Sequence, residues 1–166
     1  MLLTSDAAHK LIKKLETEKQ ALKSMMSANE TFVVSTSEGD PELLRPEFDF
    51  KKCVDGINEI DTKIMKSKHA RNVFNATSLV ADTGLTVDQV LIKLPILTRN
   101  SERYFSLSNV QPKKRISSYG ESVEYRYVNY DVSLAKELYE IASTELRELQ
   151  EKLNLFNATA TFEVDL

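Results

Sequence analysis

A six-residue segment occurs twice in this chain of 166 residues, and no other feature of the sequence restricts the fold as much. Residues 72–77 read N-V-F-N-A-T and residues 154–159 read N-L-F-N-A-T, a separation of 82 positions. Self-similarity at a fixed offset is typical of a duplicated supersecondary unit. We therefore predict a single domain, residues 1–166, made of two pseudo-repeats, 1–82 and 83–166.

The same offset aligns other segments at which a helix should begin. Leu3-Thr4-Ser5-Asp6 falls on Leu85-Thr86-Val87-Asp88, and Phe48-Asp49-Phe50 falls on Tyr130-Asp131-Val132. Thr and Asp are preferred at helix N-termini because their oxygens accept hydrogen bonds from free backbone N–H groups. Each half is therefore predicted to be a helix, a long connection and a second helix that returns.

Apolar residues at alternating steps of four and three give the second helix of each half one inner stripe. The predicted class is mainly α: an antiparallel four-helix bundle or coiled coil made from two duplicated helical hairpins, with a small β-hairpin excursion. The stripes are Cys53, Ile57, Ile60, Ile64, Ser67, Arg71 and Phe74, and then Ala135, Tyr139, Ala142, Leu146, Leu149, Leu153 and Phe156.

Capping residues and the stripes together predict where the helices begin and end. The first helix is expected to bury Ala8, Leu11, Leu15, Leu22 and Met25. Thr86 and Gln89 form a capping box at the start of the third helix. The predicted helices run from Thr4 to about Ala28, from near Asp49 to near Phe74, from Thr86 onwards, and from after Asp131 to near Phe156.

The third helix is apolar almost all round in its first turns, residues 90–97. A helix of this kind is either deeply buried or faces another subunit. Pro95 lies within it, removes one backbone donor and predicts a kink.

The two long connections differ in character. Thr31–Ser35 is predicted to be a short strand. Residues 109–130 alternate around Ser118-Tyr119-Gly120, which predicts a β-hairpin with Val123, Tyr125 and Tyr127 on one side. Since an isolated two-stranded hairpin is marginally stable, we expect it to pack on a neighbour.

The repeated hexapeptide suggests two roles. Asparagine tolerates the left-handed conformation that ends a helix, so the segment can be a helix stop. In an up-down bundle, both copies would also lie at the pole where the first and third helices start, giving two polar clusters that could bind a ligand. The candidate residues are Asn72, Asn75, Thr77, Thr86 and Asp88, and Asn154, Asn157, Thr159, Thr4 and Asp6.

Signals for catalysis are weak, so we lean towards a protein that is not an enzyme and predict no cofactor. The chain lacks a glycine-rich phosphate loop, HExxH and CxxC. His9 and His69 lie off the inner stripes and should face solvent, and Cys53 should be a small core residue. No metal ligands or catalytic residues are assigned.

Composition restricts the partners. The formal net charge of −3 argues against nucleic-acid binding, and the basic residues between Lys63 and Arg71 are interpreted as a solvated helix face. No apolar run approaches the roughly 18 residues of a membrane span, and MLLTSDAAHK does not read as a signal peptide. With Cys53 as the lone cysteine, a reduced, cytoplasmic protein without membrane partners is expected.

Several motifs together resemble the septicolysin-like family of small, largely uncharacterised bacterial helical proteins. These are the helix opening L-T-x-D, the ending N-x-x-N-A-T, the Asp82–Thr86 link and the later N-x-x-N-x-T at Asn154. The resemblance implies a helical fold, and the family name implies a cytolysin. The chain departs from the pattern at Pro95 and at the apolar Thr31–Ser35 segment.

Three functions follow from these observations. The first is a self-associating structural or protein-interaction module, a homo-oligomer that can present a surface to a protein partner. The second is a small-molecule binder or enzyme that uses the Asn/Thr pole. The third is a membrane-active cytolysin, as the family name suggests.

Overall fold

The mainly helical prediction is confirmed by a computed structural model, which describes residues 1–35, 37, 39–116 and 123–166. Four helices and four short strands occur in these ranges. In chain order they are β1 Leu2–Thr4, α1 Ser5–Ala28, α2 Phe50–Thr77, α3 Val87–Ser108, β2 Lys113–Ile116, β3 Glu124–Tyr127, α4 Val132–Thr159 and β4 Thr161–Glu163.

Two compact units make up the chain. The first consists of Met1–Phe74 together with Asn157–Leu166, and the second consists of Asn75–Phe156. The predicted halves, 1–82 and 83–166, have different boundaries, and the four-helix bundle, the coiled coil and the single domain stay predictions.

In the first unit, α1 and α2 form an antiparallel helical pair. Cys53 Sγ lies 3.9 Å from Met25 Sδ, and a Cβ added to Gly56 would lie 3.1 Å from Leu22 Cδ1. Glycine at position 56 therefore lets the two helices approach closely. The Lys68 ammonium, 3.0 Å from Glu16, links the same helices at the surface.

The first unit also holds a two-stranded sheet that the sequence did not predict. β1 pairs antiparallel with β4, so that Leu3 lies opposite Phe162 and Thr4 opposite Thr161. The ammonium group of Met1 donates to the carbonyl of Val164 at 2.7 Å. This sheet carries the end of the chain to the start of α1.

In the second unit, α3 and α4 pack around an aliphatic core. Lys93 Nζ lies 2.5 Å from Glu145, and the rings of Phe105 and Tyr139 are 5.3 Å apart. Phe156 packs against the edge of this core. Its buried members are Val80, Val87, Val90, Leu94, Leu97, Leu149 and Leu153.

Helix positions that are 82 residues apart have similar burial. Every member of the two predicted stripes is buried or half-buried, which confirms these as inner faces. The helices α2 and α4 have bounds that differ by 82 at both ends. The buried residues of α1, Ala8, Ile12 and Leu15, have buried counterparts in α3 at Val90, Leu94 and Leu97.

Several local predictions are wrong. Thr31–Ser35 forms no strand, and Met25 is 50% exposed whereas the unpredicted Ile12 is buried. By contrast, α2 and α4 end at Thr77 and Thr159, three residues beyond Phe74 and Phe156 and therefore close to the predicted ends.

Two other predictions concern the β-hairpin and Pro95. The hairpin is present as β2 paired with β3, although Ser118-Tyr119-Gly120 lies outside the described residues. α3 continues as a helix across Pro95, and the kink stays a prediction.

Candidate functional site

Four of the predicted site residues belong to the first unit and lie along the start of α1 or the end of α4. They are Thr4, Asp6, Asn157 and Thr159. Because Thr4 lies opposite Thr161 in the β1–β4 pair, the last turn of α4 ends two residues before the partner of the α1 N-cap. The structure thus brings the last three residues of the second hexapeptide, Asn157–Thr159, towards the beginning of α1.

The second unit repeats this arrangement with Asn75, Thr77, Thr86 and Asp88. Leu79 forms a β-bridge with Thr86, and the amide of Val87 donates to the carbonyl of Ser78 at 3.0 Å. The first hexapeptide therefore ends directly before the residues that pair with the start of α3.

Two candidates remain. Asn72 belongs to the first unit and Asn154 to the second, so each lies in a different unit from the rest of its hexapeptide's candidates. Both lie on exposed positions near the ends of α2 and α4. Asn154 accepts a hydrogen bond from the side-chain amide of Gln150 at 2.9 Å. Since Gln150 and Asn154 are one helical turn apart, this contact stabilises α4 locally.

The threonines of both clusters cap helices, as their sequence context predicts. Thr4 Oγ1 accepts from the amide of Ala7 at 3.2 Å. Thr86 forms a complete capping box, in which its hydroxyl accepts from the Gln89 amide at 3.2 Å and the Gln89 side chain accepts from the Thr86 amide at 2.9 Å. Their polar atoms are thus engaged in helix starts.

The aspartates that follow the caps face solvent. Asp6 pairs with Lys10 at 2.7 Å, and this hydrogen bond and charge hold the pKa of Lys10 above its usual value. Asp88 is exposed in the first turn of α3. Both carboxylates also lie where the positive end of the helix dipole favours negative charge.

The asparagines do not end their helices by a left-handed conformation, so this prediction is wrong. In the described ranges, Asp82 is the one residue other than glycine with a positive φ, 56°. Asn75 and Asn157 lie inside the last helical turns of α2 and α4. Each helix continues to Thr77 or Thr159, and the residue that pairs with the start of the next element, Leu79 or Thr161, follows two positions later.

The side-chain oxygen of Asn157 is buried without a hydrogen-bond partner in the described structure. The same is true of Ser5 Oγ. A buried polar atom without a partner costs about 1–3 kcal/mol. Both residues belong to the first unit, Ser5 at the first position of α1 and Asn157 in the last turn of α4. Sequence periodicity alone could not reveal this burial.

One groove of the first unit is lined by none of the predicted site residues. That groove, of about 570 Å³, lies where α1 ends and α2 begins. Its apolar lining comes from Met26, Phe48, Phe50 and Ile57. A second groove, of about 380 Å³, lies beside β2 and β3 in the second unit.

Other groups with catalytic or ligating chemistry occupy ordinary positions. His9 and His69 are exposed and Cys53 is buried, as predicted. Within the residues that the structure describes, His, Cys, Asp and Glu nowhere gather in threes as metal ligands would. The described helices include none with the length and apolarity needed to cross a bilayer.

An exposed apolar surface on the second unit is the clearest other feature. On α3, Leu91, Ile92 and Ile96 are 46%, 59% and 43% exposed. On α4, Leu134 and Ile141 are 51% and 63% exposed. The sequence indicated the α3 part through its all-round apolar character, whereas the α4 part lies among charged residues and was missed.

Comparison with known proteins gives one informative match. No family model and no curated protein match the chain, so the septicolysin-like resemblance stays a prediction. A crystal structure of a functionally unknown conserved protein from Corynebacterium diphtheriae is similar, with a TM-score of 0.57 and 16% sequence identity over 98% of this chain and 100% of that chain. At this identity the likeness supports the fold alone.

Proposed function

We propose that the protein is a self-associating helical module, with a second copy of the chain bound to the exposed apolar face of α3 and α4. The observation that carries this proposal is the exposure of Ile92, Ile96 and Ile141 on the paired helices of the second unit. A single exposed apolar residue is ordinary, but a group on one face is typical of an interaction surface.

The Lys93–Glu145 ion pair indicates that Ile96 and Ile141 lie on one face, and Ile92 lies one helical turn from Ile96. Ile96 follows Lys93 by three positions and Ile141 precedes Glu145 by four, so each isoleucine lies on the same side of its helix as the paired charge. Because the ion pair joins α3 to α4 along that side, Ile96 and Ile141 flank the same seam. We call the surface formed by Ile92, Ile96, Leu134 and Ile141 the outer face.

The charges around the outer face favour a second copy over an unrelated partner. On α4, a shallow groove around Ile141 is lined by Glu140, Glu145 and Glu148. On α3, the exposed Arg99 and Arg103 lie within two turns of Ile96. A twofold axis would set the basic helix of each copy against the acidic helix of the other, which is the self-complementarity that an isologous dimer requires.

Sedimentation velocity across the micromolar range tests the proposal. The wild-type chain should sediment as a dimer or larger species, and Ile92→Glu with Ile141→Glu should shift it to the monomer while the helical circular dichroism stays unchanged. Met65→Glu is the matched control, because Met65 is 63% exposed on α2, in the other unit. A wild-type chain that is monomeric throughout the range would overturn the proposal.

A second candidate function rests on the buried oxygens of Asn157 and Ser5. A small polar ligand that donates hydrogen bonds to both atoms would recover the free energy that their burial costs. In a thermal-shift screen of nucleotides and sugars, a ligand at 100 times its dissociation constant adds about 2.7 kcal/mol of stability. Asn157→Ala should remove that gain and Asn75→Ala, at the equivalent position of the other hexapeptide, should keep it. If no compound raises the melting temperature, this candidate function is ruled out for those ligand classes.

A further inference from the structure

The β2–β3 hairpin contains a local conflict of charge. In its antiparallel register, Lys114 lies directly opposite Arg126. Directly opposed residues project from the same face of the ladder, and like charges in that position destabilise the pair. Positions that break a local rule of stability are where functional sites are expected.

No described carboxylate compensates the conflict. The ion pairs of the described residues include neither Lys114 nor Arg126. Glu124 projects from the same face, but it lies opposite Ile116. Two positive charges are therefore held side by side by the backbone register.

On the other face of the hairpin, the positive charge of Lys113 has favourable contacts. Lys113 lies opposite Tyr127, and its ammonium group is 4.1 Å from the ring centre of Tyr125 and 5.4 Å from that of Tyr127. These distances are typical of cation–π contacts. The lysine on this face thus has partners within the hairpin, whereas the described residues of the hairpin provide no such partner for Lys114 or Arg126.

A groove lies beside the opposed pair. It has a volume of about 380 Å³ and is lined by Lys114 and Arg126 together with Val110, Gln111, Tyr127 and Val128. The amide of Val128 donates to the carbonyl of Pro112 at 3.0 Å, which fixes the backbone at the groove. Ligand pockets in proteins start at about 300 Å³, so the volume admits a small organic molecule.

We propose that this groove binds a small phosphate monoester, with the phosphate between Lys114 and Arg126 and the organic part against the side chains of Val110 and Val128. A phosphate monoester carries about −1.5 to −2 charges at neutral pH and can neutralise both cations, whereas one carboxylate neutralises only one. Arginine adds a planar fork of donors that matches phosphate oxygens, and lysine adds a point charge. Gln111 also lines the groove and supplies a neutral amide. This site is separate from the outer face and does not depend on self-association.

Amide chemical-shift titrations of the full chain test the site with phenyl phosphate as the probe. The shifts should be largest at Lys114, Arg126 and Val128. Lys114→Gln or Arg126→Gln should weaken binding by about tenfold or more, as expected for loss of a charge-assisted hydrogen bond. Lys113→Gln and Arg115→Gln remove equal charge from the opposite face and should change the affinity by less than about twofold.

Further probes separate the chemistry of the ligand from simple attraction between charges. Inorganic phosphate should compete with phenyl phosphate, and benzoate should bind far more weakly. If benzoate binds as well as phenyl phosphate, the site is a carboxylate site and the proposal is overturned. Equal losses from substitutions on both faces would mean diffuse electrostatic attraction and would also overturn it, as would the absence of any shift at millimolar probe.

Discussion

Replacing Leu149 by alanine tests whether the aliphatic core holds the second unit together. Leu149 is 6% exposed and lies in the cluster with Leu94 and Leu97. The change removes three side-chain carbons, each worth about 0.8 kcal/mol when buried, and leaves a cavity in a packed core. Together these effects should lower the free energy of unfolding by about 2.7–5 kcal/mol. Alanine has the higher helix propensity, so α4 itself is not weakened.

The tyrosines provide a probe specific to this unit. All six lie between residues 75 and 156, and tryptophan is absent from the chain. Tyrosine fluorescence during urea unfolding therefore reports on the second unit. With a denaturant slope of about 2 kcal/mol/M, the midpoint should fall by about 1.3–2.5 M.

A matched substitution in the same helix isolates burial. Leu155 is 68% exposed, so Leu155→Ala makes the same chemical change on α4 without opening a cavity. Its effect on the free energy of unfolding should stay within about 0.5 kcal/mol. Equal losses for Leu149→Ala and Leu155→Ala would refute the account of the core given above.

Three further predictions use contacts elsewhere in the chain. Thr86→Ala breaks the capping box and should lower the free energy of unfolding of the second unit by about 1 kcal/mol in the same tyrosine assay. Arg126→Glu sets opposite charges across the ladder and should stabilise the hairpin by about 0.2–1 kcal/mol, seen as slower amide hydrogen exchange in β2 and β3. The hydrogen bond from Lys63 holds the pKa of the Glu59 carboxyl below its usual value, so its small stabilisation is present at neutral pH and is lost as the pH falls through that lowered pKa. A carboxyl-carbon NMR titration should show the shift, and Lys63→Gln should abolish it.

The helices could be predicted from sequence because their signals are local. Thr86 and Gln89 are three residues apart and form both hydrogen bonds of the capping box. Asp49 and Asp131 were expected at helix starts, and their carboxylates accept from backbone amides of Lys52 and Ser133, both at 2.8 Å. Such contacts depend on a few neighbouring residues and on little else.

The β1–β4 sheet could not be predicted in the same way. Its strands have three residues each, and Leu3 finds its partner Phe162 at the other end of the chain. A segment this short has no periodicity that would distinguish it from a loop. The reverse error occurred at Thr31–Ser35, where β-branched residues suggested a strand but the described structure provides no partner strand.

In the candidate sites, too, the features set by local sequence could be predicted, and those set by packing or strand register could not. The threonine caps at positions 4 and 86 follow from local pattern, and the structure shows both. The burial of the Asn157 oxygen depends on how the last three residues of α4 pack within the first unit, which no spacing rule encodes. Likewise, the opposition of Lys114 and Arg126 depends on the register of the hairpin, since a shift of one residue would move either side chain to the other face.

The repeated hexapeptide occupies the same structural position in both of its copies. The boundary between the units falls after Phe74 in one copy and after Phe156 in the other. In the first unit the ring of Phe74 stacks on Phe162 at 4.8 Å, and in the second Phe156 packs against the core that contains Val80. Val80 and Phe162 are themselves 82 residues apart. Each helix therefore carries, three residues before its last residue, a phenylalanine that packs against a segment following the other helix. This reciprocity accounts for the motif by packing, because the phenylalanine and the residues after it must keep their spacing for either unit to form. The duplication itself stays a prediction.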